Sequence, residues 1–378
     1  MIDHQLVDSV RRRLAGRDGR DLAELVRSEA AVHSVLADDG ALAAIERTVS
    51  AELSGAGPLE PLLALPGITD VLVNNPRDVW LDRGRGLERA SVHFSDDASV
   101  RRLAQRLAAV AGRRLDDAAP FVDARLPDGT RLHAVLPPLS EWTTLSLRVL
   151  ARRRFGLDEL VPGHVADLLR AVVEARLAFV VTGGTGSGKT TLLGALLACV
   201  PADQRLVVVE DAAELIIAHP HVVRLVTRPA NVEGSGAVGL RELVRQALRM
   251  RPDRLVVGEF RGAEMAELLA ALNTGHEGGA ATLHANTATD VPSRLSALGA
   301  LAGVPREAVA SQAASGLDLV VHLRRSRLGI RELVQIGVVQ LAGSLLVTPV
   351  WSAQDGCVGT VLADLLRSRD VPVPSALR

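Results

Sequence analysis

Tyrosine is absent from this 378-residue chain, and aromatic residues together make up only 2% of it. Its cores must therefore be filled by Leu, Val and Ala, and it lacks the aromatic platforms on which single-stranded nucleic acids stack. Cysteine occurs twice, as Cys199 and Cys357. Two thiols so far apart supply neither a disulfide framework nor a four-ligand zinc site. No uninterrupted apolar run approaches the roughly 18 residues needed to span a bilayer. The opening MIDHQLVDSVRRRLAGRDGRD lacks the apolar core of a secretory signal. These absences predict a cytoplasmic protein whose membrane contact is at most peripheral. The formal net charge of -1 does not suggest a general binder of polyanions. Lysine is scarcest of all: of the 43 Lys+Arg residues, Lys189 alone is lysine. Such a bias reflects genome composition more simply than function. The RRR runs at Arg11–Arg13 and Arg152–Arg154 accordingly read as solvated faces or linkers.

The residues that are present describe a folded protein of two or three domains, 48% hydrophobic and 23% charged. Residues 1–50 read as a helical segment, with Leu22, Leu25 and Val26 at helical spacing. Residues 51–150 read as an α+β domain. TDVLV and DVWLD flank the turn NNPRD, a helix is expected over Ala98–Ala111, and a hairpin is expected around Asp128-Gly129. TTLSLRVL reads as one more strand, and residues 151–163 as a linker. From 164 to 378, the apolar runs LAFVVTG, RLVVVED, RLVVGEF and GGAATLH alternate with helical stretches, which predicts an α/β domain built on a mainly parallel sheet. GLRELVRQALRM is one such helix, with Leu240, Leu243, Val244, Ala247 and Leu248 on one stripe. DLVVHLRR, RELVQIGVVQ and SLLVTPVW read as antiparallel strands appended at an edge.

GGTGSGKT, Gly183 to Thr190, satisfies G-x-x-x-x-G-K-[ST] between an apolar strand and TTLLGALLACV, read as an amphipathic helix. In such a loop, Gly183, Gly184, Thr185, Gly186, Ser187 and Gly188 curl so that backbone N–H groups form an anion nest at a helix N-terminus. Lys189 is expected to reach the β- and γ-phosphates, Thr190 to ligate Mg²⁺, and Thr191 to close the motif. This explains the one lysine: a compact ammonium fits inside the loop, and a planar guanidinium does not. With no second lysine there can be no N-K-x-D guanine reader, and no L-S-G-G-Q signature is present.

VVVEDAAEL ends a strand with Glu210, Asp211 and Glu214. At the carboxyl edge of a parallel sheet these can hold Mg²⁺-bound water; alternatively they cap a helix and charge its first turn. RLVVGEF places Glu259 to act through Mg²⁺ or to orient an attacking water. TGHEGGAATLHANT carries His276 and His284 eight residues apart, which excludes a metalloprotease H-E-x-x-H. Alone, each histidine reads as a capped or core residue; beside the loop, as a sensor of nucleotide or of a subunit contact.

GGTGSGKTT, EDAAEL, LRMRPDRLVVGEFRGAE and TGHEGGAATLHANT, in that order, resemble the Walker A, Asp box, Walker B and His box of the type II and type IV secretion ATPases. The upstream GPLEPLLALPGITDVLVN and VDARLPDGTRLHAVLPPL resemble the N-terminal domain of the branch serving tight-adherence pili and conjugation-like machines. The resemblance covers about residues 50–340. It implies a RecA-like P-loop NTPase domain preceded by a smaller α+β domain, ATP and Mg²⁺ as ligands, and a hexameric ring hydrolysing ATP at subunit interfaces. It also implies work on a pilus or on exported substrates through polytopic inner-membrane platform proteins, from the inner face of the membrane. The near-zero net charge, the scarce aromatics and the His box argue against direct nucleic-acid binding. By the same resemblance, Glu214 belongs to the Asp box and Glu259 is the catalytic carboxylate. Arg261 and Glu264 complete GEFRGAE, His276 and His284 form the His-box pair, and Arg131 and Arg148 approach the γ-phosphate. A DNA-transfer motor and a non-cycling nucleotide-binding scaffold are the alternatives. With only two cysteines the chain cannot carry the four-cysteine zinc module of many type II secretion and pilus-extension members, which disfavours those branches, and Phe260 and Met265 make the Walker B surroundings bulkier than expected. The stretch beyond Ala342 carries no usable pattern.

Overall fold

The computed structural model describes Ser28 and residues 55–149, 154–228, 235–326 and 329–377. Apart from Ser28, the helical segment expected over residues 1–50 lies outside the described residues. The chain divides into two units, Met1–Ala151 and Arg152–Arg378.

In the first unit, apolar residues alternate along short strands, as they must where a sheet buries one face. Val71 and Val73 of β1 (Asp70–Asn75) and Val79 and Leu81 of β2 (Asp78–Asp82) are buried. With β3 (Leu87–Arg89), β4 (Phe121–Arg125), β5 (Arg131–Val135) and β6 (Thr144–Arg148) they form an antiparallel sheet, in the order β3-β2-β1-β6-β5-β4. A one-turn helix, α1 (Glu60–Leu63), precedes the sheet, and α2 (Asp97–Val110) packs on it. Asp96 caps α2 by accepting the Ser99 N–H at 2.8 Å. Val100, Leu103, Ala104 and Leu107 of α2 share a core with Leu132, Leu145 and Leu147. The hairpin expected at Asp128-Gly129 forms, and Asp128 fixes it by accepting the Thr130 N–H at 2.9 Å.

In the second unit the central strands are apolar throughout, because helices cover both faces of the sheet. Its strands are β7 (Phe179–Gly183), β8 (Leu206–Glu210), β9 (Val222–Val226), β10 (Arg254–Val257), β11 (Ala280–His284), β12 (Leu319–Arg325), β13 (Arg331–Ala342), β14 (Ser344–Ser352) and β15 (Gly356–Cys357). They order as β15-β14-β13-β12-β7-β11-β10-β8-β9. From β12 to β9 every pairing is parallel, whereas β13, β14 and β15 are antiparallel. The helices are α3 (Leu157–Leu160), α4 (Gly163–Glu174), α5 (Lys189–Leu197), α6 (Leu240–Ala247), α7 (Glu264–Leu272), α8 (Val291–Leu301), α9 (Arg306–Gly316) and α10 (Val361–Arg367). One core joins α4, α5 and α10 to one sheet face, and a second joins α6, α7, α8 and α9 to the other. This is a RecA-like α/β sheet, with the antiparallel-sheet unit N-terminal to it.

Three expectations are corrected here. DLVVHLRR is not an antiparallel edge strand: β12 runs parallel beside β7, and Leu319 to Leu323 are buried on both faces, which only an interior strand can satisfy. Helix α5 is not amphipathic: Leu192 to Leu197 are all buried, because α5 lies between the sheet and α4. The patternless stretch after Ala342 is part of the core, into which β14 sends Val350 and Trp351 and α10 sends Leu362 and Leu366. β9, not foreseen, adds a half-exposed edge.

Candidate functional site

The parallel strands β7, β8, β10 and β11 end together at Gly183, Glu210, Val257 and His284, the carboxyl edge where α/β sheets hold ligands. The Gly-rich loop leaves β7 there. Gly183 has φ +150, and a Cβ on it would collide with the Leu323 carbonyl and lie 2.6 Å from Ser187 Oγ. Only glycine allows the chain to turn so close to β12. Ser187 is buried, and its hydroxyl finds no hydrogen-bond partner. Gly184, Thr185 and Gly186 are exposed, and Gly188 at φ +96 starts α5. Lys189 is 7% exposed and folds under the loop, donating to the carbonyls of Gly183 at 3.1 Å and Gly184 at 2.9 Å. Burial lowers its pKa, and the Glu259 carboxylate opposes that shift. Thr190 is half-buried in the first turn of α5, and Thr191 is exposed.

A chain of charged groups runs from this lysine across the strand ends. Lys189 Nζ lies 3.5 Å from His284 Nδ1, and His284 Nε2 lies 2.7 Å from Glu259 Oε1. An ammonium can only donate, so Nδ1 accepts and Nε2 carries the proton that is donated to Glu259. Burial and the Lys189 charge push the His284 pKa down, against the pull of Glu259, which suits this neutral tautomer. The other oxygen of Glu259 accepts from Arg261 Nε at 2.7 Å and NH2 at 2.5 Å. Arg261 NH1 in turn reaches Asp211 at 3.6 Å, and Glu214 adds negative charge close by. Lys189, His284, Glu259, Arg261 and Asp211 are thus one connected set.

Other expected site residues have different work. Glu264 is buried and accepts the N–H groups of Arg261 at 2.5 Å and Gly262 at 2.7 Å, which shapes the turn into α7. Glu210, 3% exposed, accepts the N–H groups of Glu214 at 2.9 Å and Leu215 at 2.8 Å, and pairs with Arg224 at 3.1 Å. One of its oxygens is committed to the Asp-box segment and the other to Arg224 of β9, and no helix follows β8 for it to cap. Burial still raises its pKa. His276 does not join His284. It precedes β11 at the opposite edge of the sheet, with its N–H on the Ala271 carbonyl at 3.2 Å and Nδ1 buried without a partner. Five strand residues separate the two edges, on the order of 13 Å. In the first unit, Arg131 and Arg148 are cross-strand partners on β5 and β6, bonded to Asp123 at 2.8 Å and Asp70 at 2.9 Å. Motif reading missed buried His322, whose Nδ1 lies 2.9 Å from Thr182 Oγ1 just before the loop, and Arg331, which reaches the loop itself. Neither sits in a motif; only strand register brings them there.

Among the described residues no cluster of His, Cys, Asp and Glu could hold a metal alone. A Mg²⁺ bound with nucleotide needs little from the protein beyond one or two oxygens. Half-buried Thr190 and half-exposed Asp211 are hard oxygen donors of that kind, whereas Glu210 is not free to serve. Among the described residues no helix is long and apolar enough to cross a membrane.

A strand, a Gly-rich loop and a helix, with a lysine beneath the loop and an acid just past the end of β10, two strands away in the same sheet, define a P-loop nucleoside triphosphatase. Residues 52–335 match the type II/IV secretion system protein family, and the chain belongs to that family of secretion ATPases. It is 54% identical over 338 residues, 85% of this chain and 96% of the relative, to a Mycobacterium tuberculosis protein whose name assigns it provisionally to conjugal transfer. It is 33% identical over 281 residues to the conjugal transfer protein TrbB of Rhizobium radiobacter, covering 71% of this chain and 84% of TrbB. With the type IV secretion system protein PtlH of Bordetella pertussis it shares 36% identity over 267 residues, 63% of this chain and 78% of PtlH. The Legionella pneumophila ATPase DotB superposes with a TM-score of 0.53 over 76% of this chain and 79% of DotB. The pilus retraction motor PilT with bound ADP gives 0.52 over 81% and 83%. At 19% identity in both cases, these two are likenesses of fold.

Proposed function

We propose that this chain is a Mg²⁺-dependent ATPase motor that works as a ring of identical subunits. It drives a conjugation-like or pilus-type secretion machine through polytopic proteins of the inner membrane, from their cytoplasmic side. The observation that carries the reading is the connected set from Lys189 through His284, Glu259 and Arg261 to Asp211. It links all four boxes of the second unit at one sheet edge, beside a loop built for phosphates.

In this reading the loop's N–H groups and Lys189 bind the β- and γ-phosphates. Thr190 and Asp211 are the oxygen donors that would hold a Mg²⁺, which would supply positive charge to offset that of the phosphates. Glu259 orients the attacking water and accepts its proton, and His284 keeps that carboxylate facing the loop. Arg131 and Arg148 are cross-strand partners on β5 and β6, each held by an aspartate of the same sheet, Asp123 and Asp70. The proposed role for the two is to offset charge on the transferring phosphoryl group, of this subunit or another, worth on the order of 10³ to 10⁵ in rate for arginines so used in other NTPases.

The test is ATP turnover per subunit as a function of protein concentration. Wild-type activity that rises with concentration, and falls at least about 10²-fold in Glu259→Gln, is the expected result. Flat activity untouched by the substitution removes both the ring and the carboxylate's role. The conjugal-transfer names of the relatives favour a second reading, a motor acting on DNA directly. The net charge of -1 and the scarcity of aromatics weigh against it. Turnover stimulated by DNA, with a stimulation that collapses as salt rises, would make it the better reading.

A further inference from the structure

The hairpin of β12 and β13 comes alongside the Gly-rich loop at its outer wall. Leu323 of β12 is in register with Gly183, so the strand runs two residues further, to Arg325, flanking the loop. The ladder partner of Arg325 is Arg331, the first residue of β13. Arg331 Nε donates to the Gly186 carbonyl at 3.0 Å. A Cβ built on Gly188 would lie 3.3 Å from Arg331 Cδ, and one built on Gly186 would lie 3.3 Å from Arg325 NH1. The Arg331 stem therefore covers Gly188 while its head holds Gly186. Nearby Arg324 is paired with Glu332 at 3.5 Å, but no carboxylate among the described residues pairs with Arg331.

We infer that Arg331 is a positioning residue of the nucleotide site, pinning the Gly-rich loop from outside so that its N–H groups face the phosphates. The peptide plane supplies the link. In a trans peptide the C=O and the following N–H point in opposite directions. Holding the Gly186 oxygen outward thus turns the Ser187 N–H across the loop, where it donates to the Gly184 carbonyl over a long 3.4 Å, a bond that a phosphate oxygen would replace. That is the inward direction an anion nest needs. Without Arg331, a loop with positive φ at Gly183, Gly186 and Gly188 has little to hold that peptide. The guanidinium, with which no carboxylate among the described residues pairs, also adds positive charge to the outer wall of a polyphosphate site.

The inference rests on reading this loop as the nucleotide site, and the experiment separates the two. In the full chain, Mg²⁺-ADP-induced thermal shifts and the KM and kcat for ATP are measured for wild type, Lys189→Ala, Arg331→Ala and Arg331→Lys. A wild type with no ADP-induced shift defeats the nucleotide-site reading itself. If wild type responds and Lys189→Ala does not, Arg331→Ala is expected to need roughly ten-fold more ADP. Its KM should rise by a similar factor with kcat within about two-fold, the scale of one hydrogen bond from a charged donor. Arg331→Lys keeps charge and stem but lacks the Nε–H, and is expected to fall between the two; it also serves should Arg331→Ala fail to fold. Wild-type affinity in Arg331→Ala or in Arg331→Lys, or a fall in kcat at unchanged KM, overturns the proposal. So does a lower melting temperature without ADP that leaves the affinity for ADP intact.

Discussion

Glu259 divides its two oxygens between a neutral imidazole and a guanidinium, so its charge is offset on one side only. Below the same loop, His322 is buried and shares a hydrogen bond with Thr182. Burial holds its pKa below the ordinary 6.5, against the upward pull of its bond to the Asn286 backbone and the Asp290 charge. Between pH 6.5 and that lowered value, the unfolded chain binds a proton that the folded chain refuses, so stability falls as pH falls through this window. His284, shifted the same way by burial, adds to the slope. His322→Gln keeps a partner for Thr182 and removes one titrating group. Its melting temperature is expected to drop less than that of wild type between pH 7 and pH 5.

At the scale of elements, the Asp-box segment is held by α5 as much as by Glu210. A Cβ added at Gly194 would lie 2.6 Å from the Ile216 carbonyl oxygen. Gly194→Ala should therefore push the segment off the helix, at a cost of about 1–3 kcal/mol. The denaturation midpoint is expected to fall, and turnover with it as Asp211 leaves Arg261. A steady midpoint would mean that the segment yields freely. Neither this contact nor Glu210's hold on the segment was legible in the sequence, because VVVEDAAEL shows three acids and not the turn that separates them. What was legible had a period or a fixed spacing. β1, β2 and β6 alternate, β7 and β8 are unbroken apolar runs, and the loop follows its motif residue by residue. The direction of β12 was not legible, since a strand buried on both faces looks the same whether parallel or antiparallel. β9 was hidden by Arg224 in a half-exposed edge. Arg331 meets Gly186 across 145 residues, a contact set only by sheet register.

At the scale of the whole molecule, the sequence holds 42 arginines and a single lysine, whose ammonium sits in the loop beneath two carbonyls. A small acylating reagent directed at amines therefore has, besides the α-amino terminus, one target in the entire chain. Desolvation, by lowering the pKa of that amine, leaves more of it in the reactive free-base form. Mass spectrometry of the labelled protein should show a single side-chain adduct, on Lys189, suppressed in step with nucleotide occupancy. In a ring, the distribution of adducts per assembly would then count filled and empty sites directly, with no engineered probe.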